Sequence, residues 1–290
     1  MLLGALEAGG TKMVCAVGKE DGTVLEQISI PTREPEETIN EIVEYFKDKN
    51  ISALGIATFG PVDLNKESST YGHIQNTPKL RWKGYDILGK LSTLLGVPAE
   101  IDTDVNGSCL GEVTYGAAKG LHNVVYITIG TGVGAGLFIN DKLVHGSLHP
   151  EMGHMLLTRH PKDKGECNCP FHSACLEGLA AGPSIEKRWG KKAVELADNE
   201  EVWDLEAYYI AYSLTNLIFT VCPERIILGG GVMHQMQLFP LIRKYVKEMI
   251  NGYMEFEGLN DLDNYIVPAS LNDDQGIMGA LKLASMALEK

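Results

Sequence analysis

A chain that breaks an apolar run with a glycine/threonine turn, resumes it at once, and does the same again a hundred residues later is confined to few folds. Leu2 to Leu6 is apolar, Glu7-Ala8-Gly9-Gly10-Thr11-Lys12 interrupts it, and Met13 to Val17 continues. A third strand is expected over Thr23 to Ile30 after a Glu-Asp-Gly turn. Asn123 to Ile129 repeats the opening, Gly130-Thr131-Gly132 interrupts it, and Val133 to Ile139 resumes before Asn140-Asp141. Helix and strand alternate behind each hairpin. After the first come a helix with Ile39, Ile42, Val43 and Phe46 on one face, a strand Ala53 to Ala57, a helix Asp86 to Leu95, a strand Ala99 to Ile101 and a helix Val105 to Tyr115. After the second, an irregular stretch from Gly146 to Cys175 precedes a helix near Trp203 to Val221, a strand Arg225 to Leu228, a helix near Leu238 to Ile250, a strand Tyr265 to Val267 and a final helix near Gly276 to Leu288. The pattern predicts a duplicated α/β protein with mixed sheets covered by helices. The boundary falls near Ala117 to Gly120, giving domains 1–117 and 118–290, with the final helix free to pack back on the first.

Two domains suit a chain of 290 residues that is 44% apolar. The formal charge of −13 repels nucleic acid and anionic lipid, so any anionic ligand needs a cation or backbone donors. No basic leader precedes the MLLGAL run and no apolar run approaches a membrane span, so a cytoplasmic protein is expected. Cys167, Cys169 and Cys175 fall within nine residues, whereas Cys15, Cys109 and Cys222 stand alone in apolar segments. That spacing favours a metal site plus three buried thiols over a disulfide framework.

Glycine turns let backbone N–H groups approach a ligand with no Cβ in the way. Gly9-Gly10-Thr11-Lys12 adds a hydroxyl and an ammonium, and Gly130-Thr131-Gly132 is its counterpart. Neither is a Walker A or dinucleotide motif, because each turn opens into a strand instead of a helix. Gly229-Gly230-Gly231 follows a strand, at the carboxyl end where α/β sheets bind ligands. Asp102-Thr103-Asp104-Val105-Asn106-Gly107 imitates a calcium loop, but the twelfth position is Val113, with Glu112 one residue early. Asp104 is expected to cap the following helix, a contribution of about 1 kcal/mol. Beside phosphate turns the same carboxylate is a candidate general base, and the two roles are compatible.

Cys169-x2-His172-x2-Cys175 supplies three zinc-type ligands in an irregular segment that needs a staple. Either Cys167 or His154, the latter in Glu151-Met152-Gly153-His154, could be the fourth. His145, His149, His160 and His234 are read as solvated or satisfied core histidines.

Ile129 through Leu137, then Gly146, then Glu151-Met152-Gly153-His154 resembles the signature of the ROK family of sugar kinases and repressors, a branch of the actin-like ATPase fold. The resemblance spans essentially the whole chain. Glu7 to Lys12, the segment Tyr71 to Lys79 with Trp82, Asp102 to Gly107, and Cys169-Pro170-x-His172-x2-Cys175-x-Glu177-Gly178 are similar to the zinc-containing fructokinases of bacteria. Three departures from the wider family shift the substrate or the ligand set. Glu7 stands where most members carry Asp, Thr103 replaces an Asn, and His172 takes a ligand position.

The resemblance implies a duplicated actin-like ATPase (ribonuclease H-like) fold with an inter-domain cleft, and ATP-dependent phosphorylation of D-fructose to fructose 6-phosphate. In that scheme Asp104 is the catalytic base, and Glu7 positions Mg²⁺ through water. The phosphates are held by Gly9, Gly10, Thr11, Lys12, Gly130, Thr131 and Gly132. Pro183, Gly229, Gly230 and Gly231 line the adenosine end. Asn76, Thr103, Asp104, Glu151, His154 and Glu177 meet the sugar. His154, Cys169, His172 and Cys175 hold a structural Zn²⁺, and a homodimer is expected. Mannose, glucose or an N-acetylhexosamine is the alternative substrate. A sugar-sensing repressor is disfavoured, because only six residues precede Glu7 and leave no room for a DNA-binding module. A zinc hydrolase would need an open metal position.

Overall fold

The structure, a computed structural model, describes residues 1–77 and 79–289. Pro78, within the segment Tyr71 to Lys79 singled out above, lies outside the described residues. The strands are β1 (Leu3–Ala8), β2 (Lys12–Gly18), β3 (Val24–Pro31), β4 (Leu54–Thr58), β5 (Ala99–Thr103), β6 (Asn123–Ile129), β7 (Val133–Ile139), β8 (Lys142–Leu143), β9 (Arg225–Gly229) and β10 (Ile266–Pro268). The helices are α1 (Pro35–Phe46), α2 (Ile87–Leu95), α3 (Asp104–Tyr115), α4 (Leu176–Ala180), α5 (Gly182–Trp189), α6 (Glu200–Val221), α7 (Leu238–Ile250), α8 (Glu257–Asn260), α9 (Leu262–Tyr265) and α10 (Gln275–Ala287). The chain divides into two compact units. Unit 1 comprises Met1–Gly120, Lys142–Pro150 and Ser270–Lys290; unit 2 comprises Leu121–Asp141 and Glu151–Ala269.

In unit 1 the sheet order is β3-β2-β1-β4-β5, with β1–β2 and β2–β3 antiparallel and β1–β4 and β4–β5 parallel. In unit 2, β6–β7 is antiparallel while β6–β9 and β9–β10 are parallel, in the order β10-β9-β6-β7. The second set repeats the first, β6 standing for β1 and β9 for β4. This is the duplication expected from the paired turns.

Side-chain alternation along the central strands sorts unit 1 into two cores. Leu6 of β1 and Leu54 and Ile56 of β4 face a large-residue core with Ile39, Ile42 and Phe46 of α1, Ile87 and Leu91 of α2, and Trp82. Leu3 and Ala5 of β1 and Ala57 of β4 face the other way, against Ile277, Ala280, Leu281 and Ala284 of α10. That second face is nearly all small because α10 lies almost on the sheet. A Cβ at Gly55 would fall 1.8 Å from the Ala280 carbonyl oxygen. The other side of α10 meets α3 with equal closeness: a Cβ at Gly279 would lie 1.7 Å from the Gly107 carbonyl oxygen, and one at Gly111 would lie 2.3 Å from that of Gln275. At its far end α3 is tied down by Glu112. That fully buried carboxylate accepts from Ala117 N (2.8 Å), Ser270 N (2.6 Å) and Ser270 Oγ (2.7 Å), an anchoring role far from calcium chemistry.

Three expectations change. Asp104 does not cap α3. Thr103 does, its Oγ1 accepting from Asn106 N at 3.1 Å, because the strand runs two residues longer than expected, to Thr103, and Asp104 falls inside the first turn. Cys222 is exposed, whereas Cys15 and Cys109 are buried. It ends α6 in the left-handed region (φ 41°), where the chain turns outward to begin β9. α4 and α5 occupy a stretch where no element is expected from the sequence, and a Gly-Pro pair such as Gly182-Pro183 more often marks a turn than starts a helix. The proline instead sits in the first turn of α5, where its missing N–H costs nothing.

Gly279→Ala tests the α3–α10 contact. Alanine gains about 1 kcal/mol of helix propensity, but its methyl meets backbone that cannot rotate away, an overpacking cost of roughly 1–3 kcal/mol or more. The expected outcome is a lower urea midpoint with unchanged slope; an unchanged or higher midpoint would show that the contact does not constrain the fold.

Candidate active site and metal centre

Glu7 continues the β1 face that carries Leu3 and Ala5, so its carboxylate arrives over the first turn of α10. A Cβ at Gly276 would lie 2.6 Å from Glu7 Cδ. A helix N-terminus favours an anion, yet burial and the negative charges of Asp104, Asp274 and Asp273 outweigh both that end and Lys12. Together they push the carboxyl up to about 7. Glu7, Lys12 and Asp104 therefore share one electrostatic corner of unit 1. The Gly9–Lys12 turn is tight: Gly9 N donates to Lys12 O (3.0 Å), and Thr32 pins it through Oγ1 to Gly9 O (2.7 Å) and N to Thr11 O (3.0 Å). Thr11 and Lys12 remain exposed. Lys79, the last residue of the segment Tyr71 to Lys79, comes to the same turn, its Cε 3.3 Å from a Cβ at Gly10, so a second cation stands there to which no role is assigned from the sequence. Asn76 is exposed on the loop leading to it.

The first turn of α3 is closely specified. Asp104 Oδ1 accepts from Val105 N at 2.9 Å, Thr103 caps the turn, and both are flanked by Asp102 and Asn106, which are buried. Asp102 Oδ1 accepts from Thr103 N (2.8 Å) and Asn106 Nδ2 (2.7 Å), while Oδ2 lies 2.8 Å from His145 Nε2. His145 was expected to be merely solvated or satisfied. It lies in an irregular segment, and sequence spacing gives no signal for such a partner.

In unit 2 the glycine segments converge. Gly130 N donates to Gly132 O (2.9 Å), and Gly182 N, just before exposed Pro183, donates to Gly130 O (2.8 Å). Gly230 has φ +87°, and a Cβ there would fall 2.5 Å from Ile129 O and 2.6 Å from Thr128 Oγ1, so only glycine lets the β9 turn close on the hairpin. Glu177 Oε2 accepts from Val133 N at 3.0 Å, bracing the Gly130-Thr131-Gly132 turn from α4. Gly229 to Gly231, Gly182-Pro183, Gly130 to Gly132 and Glu177 thus surround one hairpin. Thr131 is exposed at its tip.

Exposed Glu151 begins the short turn Met152–His154. Gly153 admits that turn against β7, since a Cβ would sit 1.9 Å from Val133 O. His154 then faces the cysteine loop. One donor atom from each of His154, Cys169, His172 and Cys175 lies within 4.8 Å of the others. Cys169 Sγ is 3.4 Å from His172 Nδ1 and 3.9 Å from His154 Nδ1, and Cys175 Sγ is 3.8 Å from His154 Nδ1. Cys167 points elsewhere, its Sγ 2.1 Å from a Cβ position at Gly178. Burial, with the neighbouring thiols, pushes Cys175 up to about 12. Two sulfurs and two imidazoles at this spacing are the donor set of a closed tetrahedral zinc site. The loop has a second clasp in Asp163, which accepts from Tyr209 Oη (2.6 Å), Gly165 N (2.8 Å) and Arg188 Nε (3.2 Å).

Among the described residues, no helix is long and apolar enough to cross a membrane. The sequence matches the ROK family model over residues 3–287. It is 47% identical over 289 residues to a fructokinase of Pediococcus pentosaceus, covering 100% of this chain and 99% of the relative. Among solved structures it resembles a ROK hexokinase from Thermus thermophilus, with a TM-score of 0.82 at 24% identity over 100% of this chain and 99% of the other. A ROK family glucokinase from Streptomyces griseus, solved in complex with glucose and AMPPNP, gives a TM-score of 0.76 at 24% identity over 99% and 100%. These likenesses match the duplicated actin-like ATPase fold, and the chain belongs to the ROK family.

Proposed function

We propose that this chain transfers the γ-phosphoryl group of ATP to the 6-hydroxyl of D-fructose, giving fructose 6-phosphate and ADP (ATP:D-fructose 6-phosphotransferase). The observation that carries it is Asp104, held in the first turn of α3 in one electrostatic corner with Glu7 and Lys12, in a chain whose full-length relative at 47% identity is a fructokinase. Asp104 accepts the hydroxyl proton as the sugar oxygen bonds to phosphorus and the bond to ADP breaks. The N–H groups of Gly9 and Gly130 are spent inside their turns, which leaves the amides of Gly10, Thr11, Thr131 and Gly132, with Lys12, to meet phosphate oxygens. Pro183 and Gly229 to Gly231 stand beside the second turn, where the adenosine end is expected.

Asn76, Thr103, Glu151, His154 and Glu177 are assigned to the sugar hydroxyls; the His154 ring can serve both sites because Nδ1 is the atom facing the thiols and Nε2 is left over. Bound with the nucleotide, Mg²⁺ would neutralise phosphate charge, and Glu7 is the residue placed to hold it through water. His154, Cys169, His172 and Cys175 would hold zinc as a structural staple, the protein offering one donor atom from each of the four. The family resemblance extends the proposal to a cytoplasmic homodimer.

Asp104→Asn should lower kcat for fructose phosphorylation by roughly 10²–10⁴-fold while the circular dichroism spectrum stays native; full activity would remove Asp104 from the mechanism. A coupled assay over fructose, mannose, glucose and N-acetylhexosamines should show the highest kcat/KM with fructose, and a preference for another hexose would reassign the substrate. Metal analysis should find one zinc per chain, and chelation should lower the Tm; zinc-free protein of undiminished stability would contradict the staple. Glu7 generates a pH prediction for the ligand-free protein. Between the ordinary value near 4.5 and about 7, the native carboxyl keeps a proton that the unfolded chain has released. Its contribution to stability therefore falls as pH rises through that window. Glu7→Gln should gain stability relative to the natural protein from pH 4.5 to 7.5, and parallel urea midpoints across the range would show that Glu7 titrates normally.

A further inference from the structure

The mechanism above makes no use of His145, yet it is the outermost member of a chain of contacts that ends at the first turn of α3. Its Nε2 lies 2.8 Å from Asp102 Oδ2, and Asp102 is buried at the end of β5. The other oxygen, Oδ1, already serves two donors, Thr103 N and Asn106 Nδ2. Asn106 Nδ2 also lies 3.4 Å from His145 Nε2, but both are donors when the ring proton sits on Nε2, so Asp102 is what joins them. Thr103 and Asn106 are in turn bonded to each other as cap and third residue of the helix. Asp104 stands between them in sequence. The two residues that close the cap on either side of Asp104, Thr103 and Asn106, are therefore oriented by one buried carboxylate, and His145 occupies the oxygen that this carboxylate has left.

We propose that His145 is a positioning residue for phosphoryl transfer, fixing the Asp104 carboxylate through Asp102 and the first turn of α3. The inference rests on the reading of Asp104 as the base. A buried carboxylate deprived of a donor reorients or takes a proton, and either response loosens the bonds to Thr103 N and Asn106 Nδ2. His145 can do this from the surface because its own segment is pinned a second time. His149, four residues on and buried, accepts from Val62 N at 3.3 Å. The charged groups facing His145 are Asp102 on β5 and Lys66 on the loop after β4; Asn106 on α3 is its neutral neighbour. The bond to Asp102 raises the imidazole above its ordinary range, against burial and the repulsion of Lys66. The charged form of the pair thus persists to higher pH than an ordinary histidine would allow and is lost as pH climbs past the raised value. Above that point only the Nε2–H tautomer keeps the bond.

Steady-state kinetics of the full chain with fructose and MgATP test this in three variants. His145→Ala should lower kcat roughly tenfold or more, towards the ~100-fold that a 1 Å misplacement costs, with KM for both substrates unchanged. His145→Gln, which restores a donor of similar reach, should recover most of kcat but lose the ionisation above the ordinary histidine range in the kcat–pH profile. Wild-type kcat in His145→Ala overturns the proposal, as does a loss that His145→Gln does not restore. Should His145→Ala fail to fold, the profile of His145→Gln decides alone, and a wild-type profile overturns it. Asp104→Asn runs alongside: activity there overturns the base assignment itself, whereas an inactive Asp104→Asn beside a fully active His145→Ala removes only the role of His145.

Discussion

Unit 1 depends on one dimension, the thickness of α10. The helix lies between the central sheet and α3 with backbone nearly touching backbone on both sides, at Gly55 against Ala280 and at Gly279 against Gly107. Dispersion attraction falls off within fractions of an ångström, so a separation this small is stable only because Gly and Ala stand at the points of closest approach. Two candidate functional groups inherit their positions from it. Glu7 arrives over Gly276 because β1 lies against α10, and Asp104 leads the helix that packs on the same α10. Their electrostatic coupling follows from a packing distance.

The glycine hairpins work differently. Each spends its first amide on closing itself and is then braced from outside, by Thr32 in unit 1 and by Glu177 and Gly182 in unit 2. A turn held in this way presents fixed backbone dipoles, and a protein carrying a net charge of −13 needs such donors or a cation to meet any anion. The cysteine loop is likewise held twice, by the four-donor cluster and by Asp163 on Tyr209 and Arg188.

Much of this was legible in the sequence because the signals are local. The glycine turns, the run of each strand or helix and the Cys-x2-His-x2-Cys spacing are each read over a short stretch of chain, and they gave the duplicated fold and three of the four clustered donors. His154 was open against Cys167 until three dimensions placed Gly178 where Cys167 packs. The cap went to Thr103 because β5 is longer than its apolar run: Asp102 continues the strand, and its charge hides the continuation from a reading of hydrophobicity. The partners of His145 and Lys79 were hidden for another reason. Each is met across a long stretch of chain from an irregular segment, where no periodicity fixes a side chain's direction. Cys222 failed because an apolar neighbourhood does not reveal a left-handed residue at a helix end.

The order of synthesis adds a consequence of where α10 lies. Ribosomes deliver β1 to β5 first and all of unit 2 before Gln275 appears, so the Ala- and Gly-lined face of the first sheet stays bare for most of translation. Nascent domains ordinarily fold in the order they emerge; here the first-made unit must wait for the last-made helix. Small side chains on the waiting face are suited to this delay, since a surface of Ala and Gly offers far less apolar area to wrong partners than the Leu, Ile and Phe on the opposite face, which α1 and α2 cover early.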